Sequence, residues 1–275
     1  MHRITPENLI HITGIYTVYD AVFSEDYYFD GERHNFWELI YVKKGKCGVT
    51  ADDTANILSS GQAMLIAPDK FHKNWTDNEN AEVMIFSFSA TGHILNSCTS
   101  GIYIFSEEMQ QIASMLMNTG KKWLKLSADD NILFEENKNI PSGTSQIFAD
   151  FLEILILKML EQTPLKQKNT STQLFSDAVN YMQENITQSI SLEDVAKALS
   201  VSKSTLKQMF KKYTGIGIKQ YFNDMKIEYA KVLLKEKHTA SEVSAMLSYS
   251  SQNYFSTAFK KHTGVSPLEY KQKGM

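Results

Sequence analysis

FKKYTGIGIKQY (Phe210–Tyr221) recurs forty-nine residues later as FKKHTGVSPLEY (Phe259–Tyr270), with Phe, Lys, Lys, Thr, Gly and the closing Tyr in register. Six identities in twelve positions mark an internal repeat. Carried backward, the same offset pairs Glu193 with Glu242, Val195 with Ser244, Ala196 with Ala245, Ser202 with Ser251 and Leu206 with Phe255. The repeated unit is therefore expected to be a pair of short helices.

In the first copy, Leu192, Val195, Ala196 and Leu199 fall at helical spacing after Ser191, an N-cap residue type, with Asp194 placed as in a capping box. After a break at Ser200–Val201, Ser202 can cap a second helix with the apolar stripe Leu206, Met209, Phe210 and Tyr213, ended by Gly215. Two short helices and a tight turn make a helix-turn-helix, here over about 192–213. Its outer face carries Lys203, Ser204, Lys207, Gln208 and Lys211. In the second copy, about 239–262, Val243, Ala245, Met246 and Leu247 follow Thr239, and Ser250 or Ser251 starts a helix with Phe255, Ala258 and Phe259 inward. Outward lie Gln252, Asn253, Ser256, Thr257 and Lys260.

One such polar face is what any solvated helix presents; two within one repeat point to DNA. Gln and Asn can bond bidentately to adenine in the major groove, and Lys can reach guanine or phosphate. Between the copies, Tyr221, Phe222, Met225, Tyr229, Leu233 and Leu234 keep a helical period from Gly217 to about Lys237. A helix of about 20 residues is about 30 Å long. That is close to the roughly 34 Å between successive major-groove segments on one face of a duplex.

These residues resemble an AraC-type transcriptional regulator. The resemblance rests on SLEDVAKALSVSKSTLKQMFKKYTG (Ser191–Gly215), on Tyr221, Ala230 and Leu233–Leu234 of the connector, and on SEVSAMLSYSSQNYFSTAFKKHTGVSPLEYK (Ser241–Lys271). The chain departs from the pattern at Lys226, Thr257 and Lys271, where the family has Arg, and at Ser248–Tyr249, where it has Gly-Phe. No Arg follows Arg33. An Arg contact to guanine contributes about 1–3 kcal/mol of discrimination, so its absence favours A/T-rich sites or weaker readout.

At 275 residues the chain has room for two domains. From Gln173 onward there are 14 Lys against 9 acidic residues, net about +5, so the remainder carries about −8 within an overall −3. The basic part is the one with the repeats. No signal-like start or membrane-length apolar run is present, so the protein is expected to stay in the cytoplasm. Cys47 and Cys98 are expected to be free thiols.

From Asn35 to about Phe88, short apolar or alternating runs such as FWELIYV (Phe36–Val42) and AEVMIFSFS (Ala81–Ser89) alternate with Gly, Asp, Asn and Pro. Such runs indicate antiparallel strands in a small β-barrel or sandwich. Here the chain resembles the cupin-like sensor domain of the same regulators, through Glu38–Val42, Gly61 and Pro68–His72. The resemblance implies a β-barrel holding a small effector, a sugar being the commonest kind.

His34, Glu38 and His72 stand where a metal-binding cupin keeps part of its ligand set, but Glu32 replaces the usual first His and His72 falls one position early. No metal and no cofactor are expected, because regulators with this domain usually lack one. His34, Trp37, Glu38, Tyr41, His72 and Trp75 are candidate effector contacts, since pockets combine aromatic walls with a few polar groups. For the aromatics, core packing is a more ordinary account than ligand contact. Along Phe36–Val42 the even and odd positions face opposite ways, and alternation does not say which side is interior.

Ser106–Gly120 reads as a capped amphipathic helix. Ser145–Gln162 is a second helix, apolar over more than one stripe, a pattern that pairing with a second subunit would explain. Thr163–Gln173 is polar and aperiodic, an expected linker.

The expected fold is thus α+β with two domains. Residues 1–162 form a cupin-like β-barrel with dimerisation helices, 163–172 the linker, and 173–275 an all-α domain with two helix-turn-helix motifs joined by a long helix. The expected function is effector-controlled, sequence-specific regulation of transcription, without catalysis. Lys203, Ser204, Lys207, Gln208, Lys211, Lys212, Gln252, Asn253, Thr257, Lys260 and Lys261 are the expected DNA contacts. The partners would be double-stranded promoter DNA, a small molecule, a second copy of the chain and, for an activator, RNA polymerase; no membrane is involved. The alternatives are a metal-dependent cupin enzyme fused to a DNA-binding module and an architectural DNA protein without effector.

Overall fold

The computed structural model describes residues 7–52, 54–76, 78–92, 94–95, 101–126, 134–137, 139–165 and 170–273; Cys98 lies outside them. The chain divides into two compact units, Met1–Lys168 and Asn169–Met275.

The first unit contains β1 (His11–Phe23), β2 (Trp37–Lys44), β3 (Lys46–Ala51), β4 (Thr54–Ser59), β5 (Gln62–Ile66), β6 (His72–Trp75), β7 (Ala81–Thr91), β8 (Ile102–Ile104), α1 (Glu107–Trp123), β9 (Leu124–Leu126), β10 (Phe134–Glu136) and α2 (Thr144–Leu160). The strands form an antiparallel five-stranded sheet, β1-β7-β2-β5-β8, a three-stranded sheet, β4-β3-β6, and a small β9-β10 ribbon. Of the expected barrel or sandwich, the described residues show two hydrogen-bonded sheets that do not close into one.

Alternation along β2 divides two cores. Ile40 and Val42 join Cys47, Val49 and Leu58 between the sheets. Trp37, Leu39 and Tyr41 turn to the other side of the five-stranded sheet, against Met109, Ile112, Leu116, Phe148, Leu152 and Leu155 of α1 and α2. Burial of those side chains holds both helices on this side of the sheet, each large one contributing about 1.5–3 kcal/mol.

Three boundaries differ from expectation. Gly120 does not end α1: a Cβ there would lie 2.4 Å from Val18 Cγ1, so this glycine admits the helix against β1, and the helix continues to Trp123. α2 starts after Gly143, in the left-handed region at φ 88°, and ends at Leu160. Within the expected linker, Leu165 exchanges backbone hydrogen bonds with Ile102, and α3 already begins at Thr170.

The described residues of the second unit form helices alone: α3 (Thr170–Glu184), α4 (Leu192–Ala198), α5 (Lys203–Thr214), α6 (Ile218–Lys235), α7 (Ala240–Met246), α8 (Gln252–Thr263) and α9 (Pro267–Lys273). Ser191 with Asp194, and Thr239 with Glu242, complete reciprocal capping boxes on α4 and α7. Ser202 and Ser251 cap α5 and α8, and Gly215 and Gly264, at φ 72° and 81°, end them.

The repeat has two registers. The caps Ser191 and Thr239 are 48 residues apart, as are the buried Val195 and Val243, whereas Ser202 and Ser251 are 49 apart. The turn of the second copy holds one extra residue, so Val195 corresponds to Val243 and not to Ser244. In both copies the helix pair turns through a left-handed serine, Ser200 at φ 56° and Ser248 at φ 51°.

Candidate functional sites

In the helical unit, Leu206, Met209, Phe210 and Tyr213 bury one side of α5, and Phe175 closes an aromatic cluster over Phe210, Tyr213 and Tyr221. The opposite side leaves Lys203, Ser204, Lys207, Gln208 and Lys211 exposed, with Lys212 half-buried over the Tyr213 ring. On α8, Phe255 and Phe259 are buried while Gln252, Asn253, Thr257, Lys260 and Lys261 are exposed. All eleven residues expected to meet DNA therefore lie on or beside the two solvent faces. Lys203 is 3.1 Å from Glu193, and Lys211 donates to the Gly215 carbonyl at 2.6 Å, which caps the end of α5. Sequence reasoning passed over Tyr254, which stands 58% exposed at the start of α8 beside Gln252 and Asn253.

The two helix pairs are tied together beneath these faces. Lys226 of α6 is buried and donates to the carbonyls of Gln188, at 2.8 Å, and Leu247, at 2.7 Å, with Phe222 and Tyr249 rings around its ammonium. Leu247 caps the end of α7, where partial negative charge gathers, so a cation is favoured there. Burial lowers the Lys226 pKa. Ser248 Oγ donates to Thr187 O at 2.6 Å, and Tyr249 OH to Asn223 at 3.1 Å. Phe222, Asn223, Lys226, Ser248 and Tyr249 line a cleft of about 530 Å³. At the far end of α8, His262 lies 3.2 Å from Asp224 and 3.0 Å from Glu228. Hydrogen bonds to these carboxylates raise His262 to about 9, and the same imidazole brings Glu228 down to about 2.

In the sheet-rich unit, three of the six expected effector contacts converge. Glu38 of β2 and His72 of β6 are buried, and His34 is nearly so. His72 Nε2 is 3.3 Å from Glu38 Oε1, and His34 Nε2 is 3.7 Å from Glu38 Oε2. Glu32, half-exposed, completes the group at 3.8 Å from His72 Nε2. The backbone of Glu32 exchanges two 2.9 Å hydrogen bonds with that of His72, which pins the segment before β2 to β6. Ser87 donates to Glu38 Oε2 at 3.3 Å and is itself held by Thr17. Burial would raise the Glu38 carboxyl, but the two imidazoles outweigh it and bring the pKa to about 2. For His72, burial lowers and Glu38 raises, with a net rise.

Trp37, Tyr41 and Trp75 do not join this group. Trp37 and Tyr41 lie in the helix-facing core, where Tyr41 stacks on Phe105 at 4.6 Å. Trp75 covers Gly48, where a Cβ would sit 2.1 Å from the indole, and donates to Thr50 Oγ1 at 3.1 Å. Along β6 it alternates with His72 and so occupies the other face of the three-stranded sheet. Cys47 is buried, with its thiol pushed up to about 12 by burial, and takes no part in the cluster.

Comparison with known proteins agrees with this layout. Residues 195–273 match the model of a helix-turn-helix domain, and residues 17–117 that of the AraC-like ligand binding domain. The raffinose operon transcriptional regulatory protein RafR of Pediococcus pentosaceus is 30% identical over 236 residues, spanning 84% of this chain and 83% of that protein. The probable transcriptional regulator LumQ of Photobacterium leiognathi is 25% identical over 241 residues, 86% of this chain and 90% of that protein. Among solved structures, ToxT from Vibrio cholerae is 14% identical, with 94% of this chain and 98% of that one covered and a TM-score of 0.38.

Proposed function

Because the chain belongs to the AraC-type transcriptional regulators, with a helix-turn-helix domain and an AraC-like ligand-binding domain, we propose that it reads promoter DNA through two helix-turn-helix motifs under the control of a small-molecule effector. The observation that carries the reading is the pair of equivalently capped helices, α5 and α8, each with a buried aromatic side and an exposed Lys, Gln or Asn side. Lys203, Ser204, Lys207 and Gln208 read or approach one major-groove segment, and Gln252, Asn253 and Thr257 the next. Lys211, Lys212, Lys260 and Lys261 serve phosphates. α6, with 18 residues, is about 27 Å long and spaces the two motifs.

The effector sits in the cupin-like sheet unit, and RafR, named for a raffinose operon, favours a sugar. Effector binding alters transcription only insofar as the ligand prefers one functional state over another. Two copies associate through α2, and an activating role would bring RNA polymerase as a further partner.

The test is a set of affinities measured by fluorescence anisotropy on promoter and scrambled duplexes. Gln208→Ala is expected to change the preference among sequences, with about 1–3 kcal/mol lost at one base position. Lys260→Ala is expected to weaken all duplexes alike. The reverse pattern would refute the assignment of roles.

A further inference from the structure

The histidine and glutamate cluster has a donor geometry that its hydrogen bonds do not explain. His34 Nδ1 lies 3.0 Å from the Phe36 carbonyl and His72 Nδ1 3.1 Å from the Lys70 carbonyl. A carbonyl only accepts, so both Nδ1 atoms carry a proton, and whenever the ring is neutral its Nε2 presents a lone pair. Neither Nε2 has a hydrogen-bond partner among the described residues, although both are buried. Both instead point toward the carboxylate of Glu38.

Lone pairs facing a carboxylate need a positive charge between them. A proton on Nε2 would draw nitrogen and oxygen to the roughly 2.7–2.9 Å of a charge-assisted hydrogen bond. The observed separations are 3.3, 3.7 and 3.8 Å, and the four ligand atoms lie within 4.8 Å of one another. One ion with bonds of about 2.0–2.2 Å sets neighbouring donors about 3.3–3.6 Å apart at tetrahedral angles. We propose that His34, Glu38 and His72, with Glu32 at the solvent side, form a site for one divalent transition-metal ion of the zinc or cobalt class.

Donor chemistry narrows the ion. Two imidazoles and two carboxylates suit zinc, cobalt, nickel, manganese or iron(II), whereas calcium and magnesium favour oxygen alone and copper(I) favours thiolate. The outer contacts are those of a metal site as well: each imidazole is oriented by a carbonyl on its far nitrogen, and Glu38 is held by Ser87. Glu32 is half-exposed, which leaves a path for the ion. The ligands come from the segment before β2, from β2 and from β6, so one ion would fasten the two sheets to each other. This site goes beyond the regulator reading and does not depend on it, since DNA recognition by α5 and α8 can hold with or without the ion.

The experiment uses the full, untagged chain, stripped with a chelator and desalted. It is titrated with Co²⁺ and with Zn²⁺ by calorimetry, by the visible absorption of bound cobalt, and by the melting temperature of the sheet-rich unit. The expected result is one ion per chain at micromolar affinity or tighter, a rise in melting temperature, and no competition from millimolar Mg²⁺ or Ca²⁺. His34→Gln is expected to abolish the cobalt spectrum. Glu32→Gln, on the exposed side where folding is not at risk, is expected to weaken binding about tenfold or more. Absence of saturable one-to-one binding would overturn the proposal, as would binding left unchanged in both variants, which would put the ion elsewhere. Promoter affinity measured in parallel keeps this outcome separate from the regulator reading.

Discussion

Lys226 shows how much rests on single residues in the helical unit. Its ammonium is the donor for two carbonyls, Gln188 in the loop before α4 and Leu247 at the end of α7, so Lys226→Met leaves both acceptors without it in a half-dry setting. The expected cost is about 2–4 kcal/mol, visible as a lower urea midpoint for the helical unit. His262 offers a pH test. Its folded pKa, about 9, lies above the unfolded 6.5, so its contribution is complete below pH 6.5 and is lost as pH rises through 9. Discounted for solvent screening, this is about 1 kcal/mol. The melting temperature is expected to fall between pH 7 and 9.5, and His262→Gln to flatten that fall. At this scale the sequence was legible where a residue's role follows from helical period, as for Leu206 and Phe210 against Lys207 and Gln208. It was not legible for Trp37 and Tyr41, because alternation sorts a strand into two faces and the helices that cover one of them come from residues far along the chain.

Among elements, the capped helices were legible because capping is local: Ser191, Ser202 and Thr239 act within three residues of themselves. Ser202→Ala and Ser251→Ala are each expected to cost about 1 kcal/mol in denaturant unfolding, without altering the fold. Strand β1 escaped notice, since HITGIYTVYDAVF (His11–Phe23) is mostly half-exposed and two register shifts break its alternation. Gly120 read as a helix end for a similar reason: the Val18 side chain that explains it lies a hundred residues away in sequence. α2 packs Phe148, Leu152, Leu155, Ile156 and Met159 inward yet keeps Ile147 and Ile154 at 51% and 42% exposure. If this stripe is where copies meet, Ile154→Glu is expected to convert dimer to monomer in sedimentation velocity while leaving the circular dichroism spectrum unchanged.

For the whole molecule, opposed charge separates the two jobs. The helical unit carries about +5 and the rest about −8, so duplex affinity is expected to fall with salt at a log–log slope of about −0.9 per phosphate engaged. Lys260→Gln should reduce that slope by about 0.9, read from binding at several salt concentrations. The two-unit organisation was legible from the repeat and from the change of texture after the strands. The cluster of Glu32, His34, Glu38 and His72 was legible only through its likeness to a cupin ligand set, because its convergence depends on how one sheet faces another. The extra residue at Ser250 bears on redesign. Transplanting α5 or α8 from one half into the other requires each graft to keep its host's own turn. A splice placed upstream of that turn by a uniform shift of forty-nine would set Asp194 where the buried Val243 belongs, and the chimera would fail to fold before its specificity could be measured.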